Sequence, residues 1–221
     1  ATNNGQALFL GTDPDSVAHK LYLQHGFRDV NTAGHMAWYA RGQTDFESAW
    51  FVGKSPEIEQ LNWRHWPAAT PLFLQSGPGI VRCAPLRMFW SDLVEGPLLP
   101  AIETEMKRLA QGQAPAAVVL KYGPTGAVLG MALRQRDQIW PATFTVDVFC
   151  HQDYWSRAGD LLDALHLPAG ETHVAFGDAS CPAKIDALKN AGFAQVAVLP
   201  KRIAADRGQI DMADIIQMEK S

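Results

Sequence analysis

The sequence repeats part of itself, and this repeat constrains the fold more than any other feature. When residues 7–55 are laid on residues 173–221 without a gap, 10 of the 49 aligned pairs are identical. Typical composition would give only about three identities by chance. The identical pairs are Gly11 with Gly177, Gly26 with Gly192, Phe27 with Phe193, Val30 with Val196, Arg41 with Arg207, Gly42 with Gly208, Gln43 with Gln209, Asp45 with Asp211, Lys54 with Lys220 and Ser55 with Ser221. Coincidence among common residues is the alternative, but the match predicts two copies of one folding unit.

The repeat divides the chain into three regions. Residues 1–55 are predicted to be the last third of a first module, residues 56–76 a linker, and residues 77–221 a complete second module. Subtracting the 166-residue offset of the repeat from the start of the second module places the start of the first about 90 residues before Ala1. We therefore expect the chain to be part of a longer protein.

Apolar periodicity and turn residues predict a mixed α/β chain, because short apolar runs alternate with amphipathic helical stretches. In the first region we expect strands at Ala7–Leu10, Phe27–Val30, His35–Ala40 and Glu47–Val52 and a helix between Asp13 and Gly26. In the linker we expect a short helix from Pro56 to Trp66, which Pro67 and Pro71 end. In the second module we expect strands at Ile80–Ala84, Ala116–Tyr122, Ala127–Arg134, Thr143–Cys150, Thr172–Phe176, Gln195–Ile203 and Asp211–Met218, and helices at Phe89–Leu109, Trp155–Leu165 and Pro182–Ala191. This order predicts a mixed sheet covered by helices.

The composition excludes several classes of function. A formal net charge of -4 and a pI near 6.0 do not provide the clustered Lys and Arg that bind nucleic acid or anionic lipid. The longest apolar runs, such as Val146–Cys150, are far shorter than the roughly 20 residues of a transmembrane helix. The three cysteines and seven histidines match no metal-binding spacing. We therefore expect no nucleic acid, no membrane and no metal, and a cytoplasmic location.

Two short motifs resemble those of a known family. The first is LFLGT at Leu8–Thr12 followed by AHKLYLQHGF at Ala18–Phe27, which resembles the fifth strand and the Ala-x-x-Leu-Tyr-x-x-x-Gly-Phe helix of the GNAT N-acetyltransferases. The second is VDVFCHQDY at Val146–Tyr154, which looks like the family's fourth strand and the His-Pro-Asp-Tyr turn before its coenzyme-binding loop. Together the resemblances cover Ala7–Ser55 and the second module from about Ala116 onward. They imply a GNAT acyl-CoA N-acyltransferase fold, with one complete module preceded by the C-terminal third of another.

The same resemblance implies acetyl-CoA as cosubstrate and the amine of a small molecule or peptide as acceptor. Family members hold the pantetheine arm along the splayed fourth strand and the pyrophosphate at a glycine-rich turn, where N–H groups at a helix N-terminus approach the anion. Carried over to this sequence, the cofactor-binding positions are Val148, Phe149 and Cys150 on the strand and Arg157, Ala158 and Gly159 at the turn. The turn departs from the family's Gln/Arg-x-x-Gly-x-Gly/Ala pattern, because Trp155 takes its first position and Asp160 its last. We therefore expect the coenzyme loop of the second module to be eroded.

The resemblance also implies a catalytic role for Tyr22, which matches the tyrosine that often donates a proton to the leaving thiolate in this family. From the residues alone, Tyr22 is equally consistent with a core-facing aromatic of an amphipathic helix. Its counterpart in the second module is Leu188, which has no proton to donate. Glu95 falls on the helical stretch that often lines the acceptor cleft of the family, so it is kept as a candidate base, although a solvent-facing charge is the simpler interpretation.

Two functions follow from different classes. The first is an N-acetyltransferase, or the C-terminal part of one, with its working coenzyme site in the first module. The second is a non-catalytic scaffold for dimerisation or partner docking, suggested by the apolar linker with Trp63 and Trp66. A homodimer remains open, and residues 1–55 could also complete the sheet of another copy by strand exchange.

Overall fold

The computed structural model of the protein describes residues 6–205 and 211–221, which form twelve strands and six helices. The strands are β1 Ala7–Gly11, β2 Arg28–Asp29, β3 His35–Tyr39, β4 Glu57–Gln60, β5 Val81–Cys83, β6 Met88–Phe89, β7 Ala117–Lys121, β8 Val128–Arg136, β9 Thr143–Cys150, β10 Thr172–Asp178, β11 Ala194–Ala204 and β12 Met212–Lys220. The helices are α1 Val17–Gln24, α2 Gln43–Trp50, α3 His65–Leu74, α4 Glu95–Ala110, α5 Ala158–Ala164 and α6 Pro182–Asn190. None of these helices is both long and apolar enough to cross a membrane.

Seven strands form one large sheet in the order β11-β12-β10-β9-β8-β7-β4. All neighbouring pairs are antiparallel except β9 and β10, which are parallel because helix α5 connects them. The main hydrophobic core contains buried side chains of β7, β8 and β9 together with those of α3, α4, α5 and α6. The mixed α/β class predicted from the sequence is therefore confirmed.

Residues near the amino terminus form a separate sheet in the order β1-β3-β2. Its chain order, strand-helix-strand-strand, is also that of β10, α6, β11 and β12, whose strands lie in the order β10-β12-β11. The gapless sequence alignment nevertheless stops matching equivalent structural positions after Val30, because the hairpin of β2 and β3 is much shorter than the hairpin of β11 and β12. In the first unit Ala7 pairs with Tyr39, whereas in the second His173 pairs with Lys220. Asp45 lies in α2 whereas its match Asp211 lies just before β12, and Arg207, Gly208 and Gln209, which match Arg41, Gly42 and Gln43, lie outside the described residues.

The strand predicted at Glu47–Val52 is wrong, because helix α2 covers most of these residues. Its aromatic side chains explain the difference: Phe46 and Trp50 lie one helical turn apart, and their rings stack with centroids 5.5 Å apart. Phe46 also contacts Phe9 and Tyr39 of the small sheet, at 6.1 and 5.5 Å between ring centroids. The four-residue spacing of Phe46 and Trp50 thus places both rings on one face of a helix, which covers this sheet.

The segment predicted to be a linker belongs to the large sheet and its core. Strand β4 pairs with β7, so the sheet begins at Glu57 rather than at residue 77. Glu59 of β4 holds the start of α3 through the Nε2 of His65 at 2.6 Å, and it also bonds to the Nζ of Lys121 at 2.7 Å. Helix α3 begins at His65 and contains both prolines that were expected to end it. Eight of its ten residues are buried, so packing outweighs the lost backbone bond at Pro71.

The helix predicted at Phe89–Leu109 begins later, at Glu95. The residues before it form the short hairpin of β5 and β6, within which Arg87 and Trp90 have φ angles of 55° and 59°. Neither angle is compatible with a right-handed helix. This hairpin lies against the middle of the large sheet, where it shapes the candidate site.

Candidate functional site

A cleft opens in the large sheet because β9 and β10 pair only over their first halves. Their parallel pairing runs from Thr143 opposite Thr172 to Val146 opposite Ala175, whereas β8 follows β9 out to Cys150. Beyond Val146, no described pairing joins the two strands. This divergence is the arrangement that the GNAT resemblance implies for the fourth and fifth strands of that fold.

Backbone groups of β9 face this cleft at alternate positions. The N–H of His151 donates to the carbonyl of Leu129 at 2.9 Å, so His151 and Phe149 direct their backbone groups toward β8. Val148 and Cys150 therefore direct theirs toward β10. These are two of the three strand positions predicted to hold pantetheine, and their geometry alone would suit that role.

The cleft is filled by the chain itself, through residues 79–84, which we call the inserted segment. The N–H groups of Ile80 and Val81 both donate to the Oδ2 of Asp178, at 2.9 Å each, at the end of β10. At the other end of the segment, the N–H of Ala84 donates to the Oδ2 of Asp147 on β9 at 2.7 Å. The inserted segment thus bridges the two strands where they diverge, and Val81 is only 1% exposed.

A buried ion pair completes the filling. The ammonium of Lys184, on α6, lies 2.5 Å from the Oδ1 of Asp147 and donates to the carbonyl of Val81 at 2.9 Å. Lys184 is 0% and Asp147 1% exposed. Burial raises the pKa of Asp147, and Lys184 and the backbone N–H of Ala84 oppose this rise. Both charged groups are thus committed to each other and to the inserted segment, and neither is available to a ligand.

The predicted strand positions are enclosed by this packing. The ring of Phe149 stacks on Phe73 with centroids 5.3 Å apart, and the guanidinium of Arg82 lies 5.3 Å from its centroid. Cys150 is also buried, and burial raises the pKa of its thiol, as it does for Cys83 and Cys181. These thiols are therefore protonated and poorly reactive. Within the described residues, no group of three or more potential ligands could hold a metal ion.

The turn predicted to bind pyrophosphate is a closed 3-10 helix, Gln152–Arg157, and not an open glycine-rich loop. Arg157 donates to the Oδ2 of Asp160 at 2.6 Å and to the carbonyl of Pro56 at 3.4 Å, so its charge is paired within the protein. Ala158 is fully buried, and α5, which starts there, has only seven residues. Arg157, Ala158 and Gly159 thus lie where the 3-10 helix meets α5, with the Arg157 side chain bonded to Asp160 and to the carbonyl of Pro56.

Tyr154, at the same turn, anchors the end of the first unit. Its hydroxyl accepts a bond from the N–H of Gly53 and donates to the carbonyl of Phe51, both at 2.8 Å. Beside it, the buried ring of His151 stacks on Phe51 with centroids 4.3 Å apart, and burial lowers the pKa of this histidine. The turn resembling His-Pro-Asp-Tyr thus joins the two units of the chain.

We expect Tyr154→Phe to lower the free energy of unfolding by about 1–2 kcal/mol, because it leaves the N–H of Gly53 and the carbonyl of Phe51 without a partner. Denaturant unfolding measures this loss. Tyr122→Phe is the matched control, since none of the described hydrogen bonds involves the Tyr122 hydroxyl. Equal stability of the two variants would contradict the anchoring role.

The predicted catalytic tyrosine lies away from the cleft. Tyr22 is on α1, in the part of the chain that forms the β1-β3-β2 sheet, which we call the small unit. Its half-buried ring packs against Phe27 with centroids 5.3 Å apart. Its counterpart Leu188 is fully buried in the core of the large unit. Glu95 is exposed at the first turn of α4 and lines a groove along β1 instead. The structure therefore groups neither Tyr22 nor Glu95 with the residues predicted on β9.

Sequence reasoning missed the residues that fill the cleft, although the sequence contains signals for two of them. Asp147 interrupts an otherwise apolar strand, Val146–Cys150. Lys184 occupies, in the second copy, the position of Ala18 in the first, where the family motif also has Ala. A charged residue inside a strand and another replacing a small one on the adjacent helix together indicate a buried pair. Asp178 left no comparable signal.

No family model matches the sequence, and no curated protein does. Solved structures do match. An N-acetyltransferase from Staphylococcus aureus Mu50 is 18% identical with a TM-score of 0.55, over 76% of this chain and 99% of that one. A ribosomal-protein-S5-alanine acetyltransferase from Vibrio fischeri is 11% identical with a TM-score of 0.52, over 77% and 94%. The Salmonella typhimurium protein yncA, solved with its cofactor acetyl-CoA, is 18% identical with a TM-score of 0.51, over 76% and 94%. At these identities the likeness shows the fold alone, which is that of GNAT acetyltransferases.

Proposed function

We propose that the chain is part of an N-acetyltransferase of the GNAT type, in which residues 57–221 form a non-catalytic supporting module. Residues 1–55 would belong to the module that transfers the acetyl group from acetyl-CoA to the amine of a small molecule or peptide. The fold likeness to acetyltransferases supports the class of reaction. The inserted segment supports the division of labour, because it occupies the cleft in which the larger module would otherwise hold pantetheine.

We infer that the larger module does not hold the coenzyme. Pantetheine needs free backbone groups along the strand, but the cleft beside Val148 and Cys150 holds Lys184, Asp147 and the inserted segment. Pyrophosphate needs free N–H groups or cations, but Arg157 is paired. We therefore assign no step of the transfer to this module.

Calorimetric titration of residues 1–221 with acetyl-CoA tests the supporting role. We expect no saturable binding at acetyl-CoA concentrations below about 1 mM, because the inserted segment occupies the cleft. A dissociation constant of about 1 mM corresponds to a binding free energy of only about 4 kcal/mol. Micromolar binding with one site per chain would show that the inserted segment leaves the cleft, and it would contradict the proposal.

The catalytic part of the proposal rests on Tyr22. In the full-length natural protein, we expect Tyr22→Phe to lower kcat for release of free thiol from acetyl-CoA by about 10²-fold or more, because a positioned general acid contributes on that order. Tyr122→Phe is the matched control and should leave kcat unchanged. An unchanged kcat in Tyr22→Phe would remove Tyr22 from the reaction and leave it a packing residue of α1.

A non-catalytic scaffold for the whole chain is the second candidate. Trp63, which suggested it, is 51% exposed, whereas Trp66 packs on the main core. Sedimentation at several concentrations, with wild type and Trp63→Ala, distinguishes the two. Self-association that Trp63→Ala abolishes would favour the scaffold, and a monomer at all concentrations would count against dimerisation.

A further inference from the structure

The hairpin of β8 and β9 ends in residues 137–142, which we call the apolar tip because two large apolar side chains protrude from it. Ile139 is 75% and Trp140 62% exposed. Single apolar residues are common on protein surfaces, but neighbouring large ones that protrude together are typical of interaction sites. The apolar tip is therefore a candidate contact surface.

Hydrogen bonds to Asp137 brace the apolar tip. The Oδ1 of Asp137 accepts the N–H of Trp140 at 3.0 Å and the N–H of Ile139 at 2.8 Å, and these two bonds lower the pKa of the carboxyl. The N–H of Asp137 donates to the carbonyl of Thr143 at 2.9 Å, which closes the base of the tip. Because the tip is already ordered, a contact through its apolar side chains loses little conformational entropy.

A cavity of about 280 Å³ lies between α4, residues 84–87 and the end of β8. This volume is slightly below the usual range of small-molecule pockets, about 300–1,000 Å³, and suits one large side chain. The carboxylate of Glu105 in its lining is already occupied, because it accepts the N–H of Ala116 at 3.0 Å and the amide of Gln60 at 2.6 Å. The walls are mostly apolar and include Pro85, Leu86, Pro97, Pro100, Ala101 and Leu133.

A second depression, of about 320 Å³, connects this cavity to the apolar tip. Arg87 lines both spaces, and Asp137 and Ile139 of the tip line the second. Arg87 is exposed and forms no ion pair within the part of the chain that the structure describes. Arg136 also lines the depression, but it bonds to Glu171 at 3.2 Å. The depression thus presents the cation of Arg87 and the carboxylate of Asp137.

The tip, the depression and the cavity together form a surface that is complementary to itself. A two-fold axis through the depression exchanges its walls, so that Arg87 of each copy faces Asp137 of the other. The same rotation brings the apolar tip of each copy to the cavity of the other. A two-fold contact requires one patch that carries both halves of every interaction, and this patch carries them.

The position of the patch favours a second copy over the rest of the first module. β9 has eight residues, so its ends are about 25 Å apart. The apolar tip precedes its first residue, whereas Tyr154, which anchors the small unit, follows its last. The residues that the proposed function places before Ala1 would extend the small unit, at the far end of the sheet from the tip.

We propose that two copies of the chain associate about a two-fold axis, each inserting Ile139 and Trp140 into the cavity beside α4 of the other. Ion pairs between Arg87 and Asp137 fix the orientation of the two copies. The larger unit is then the dimerisation module of the protein. Dimerisation does not require acetyl transfer, so an inactive protein that dimerises in this way would contradict only the proposed function.

Sedimentation velocity of residues 1–221 at increasing concentration tests the contact. We expect a monomer–dimer equilibrium without larger species. Trp140→Ala should weaken the dimer by about tenfold or more, because buried tryptophans dominate interface energies. Trp63→Ala removes a tryptophan of similar exposure elsewhere, is the matched control, and should leave the dissociation constant unchanged. Association that is lost in Trp63→Ala but kept in Trp140→Ala would place the contact elsewhere and overturn the proposal.

A second pair of variants tests the cavity. Thr104 is exposed and lines the cavity, so Thr104→Trp should fill it and also weaken the dimer by about tenfold or more. Leu109→Trp, at an exposed position of α4 outside the cavity lining, is the control. A mixture of Trp140→Ala and Thr104→Trp chains should associate more tightly than either variant alone, because one intact tip then meets one open cavity. A mixture that associates no better than its components would contradict the exchange of tips.

The full-length natural protein distinguishes a second copy from residues of its own chain. We expect it to dimerise with the same sensitivity to Trp140→Ala. A monomeric full-length protein would overturn the proposal, and a dimer of residues 1–221 alongside it would show that other residues of the longer chain cover the tip. Thermal unfolding of all variants should match that of wild type, since the substituted side chains are exposed.

Discussion

Lys184→Met should lower the free energy of unfolding by about 3–5 kcal/mol, because removing one partner of a buried ion pair leaves the other charge uncompensated. Lys184 and Asp147 are both almost fully buried and lie 2.5 Å apart. The variant also deprives the carbonyl of Val81 of its donor. Denaturant unfolding near neutral pH measures the loss. Lys189→Met, at an exposed position of the same helix, is the matched control and should change stability by less than about 0.5 kcal/mol.

The same variant should show a characteristic pH dependence. Burial already raises the pKa of Asp147, and without the Lys184 ammonium the rise becomes larger. Between the unfolded and folded pKa values, the folded protein holds a proton that the unfolded chain has lost, so stability falls as pH increases through that window. The penalty of Lys184→Met should therefore be smaller at about pH 5 than at about pH 8. A penalty that is independent of pH would mean that Asp147 is not the charge left unpaired.

A double variant separates the ion pair from the shape of the site. Lys184→Met with Asp147→Leu should recover much of the loss, because apolar residues of similar volume often replace a buried pair without great cost. Recovery should stop short of wild type by about 1–3 kcal/mol, since the N–H of Ala84 then lacks its acceptor. A double variant as unstable as Lys184→Met alone would show that the pair is not the source of the effect.

Gly34→Ala should destabilise the small unit by about 3 kcal/mol or more. Gly34 has a φ of 80°, and a Cβ built there would lie 1.9 Å from the carbonyl oxygen of Thr12. That oxygen belongs to the backbone, so it yields only if the end of the β1–β3 pairing moves. Strain from the positive φ adds about 1 kcal/mol. Exchange of the Leu8 and Leu10 amides, which are bonded to β3, reports this local opening.

Gly42→Ala is the matched control for Gly34→Ala. Gly42 has a φ of 98°, but nothing lies within 4 Å of a Cβ built at that position. It therefore carries the strain without the clash, and we expect a loss of only about 1 kcal/mol. If both variants exchanged at the same rate, the close approach of Gly34 to Thr12 would be wrong, and with it the turn that returns β3 onto β1.

The opening between β9 and β10 is filled by residues 79–84 and by the buried pair of Lys184 and Asp147. The two strands diverge as the GNAT fold requires, but buried polar groups fill the opening and hold it together.

The local sequence pattern was sufficient to predict an element where its residue types clearly favour one secondary structure and turn residues mark its ends. Strand β9 matches its predicted bounds, Thr143–Cys150, because β-branched and aromatic residues are concentrated between clear turn signals. The hairpin of β7 and β8 and helix α6 were predicted for similar reasons. At Glu47–Val52 the pattern was misread, since a short apolar run does not distinguish a strand from a buried helix.

The sequence by itself determined the α/β class and most of the elements of the larger unit, because these follow from periodicity and from the chemistry of single residues. Only the tertiary structure decided that residues 57–60 are a strand of the large sheet, that residues 79–84 fill the cleft, and that Lys184 pairs with Asp147. Each of these joins segments far apart in the chain, and their partners are chosen by packing and by the need to pair buried polar groups, which no local pattern records.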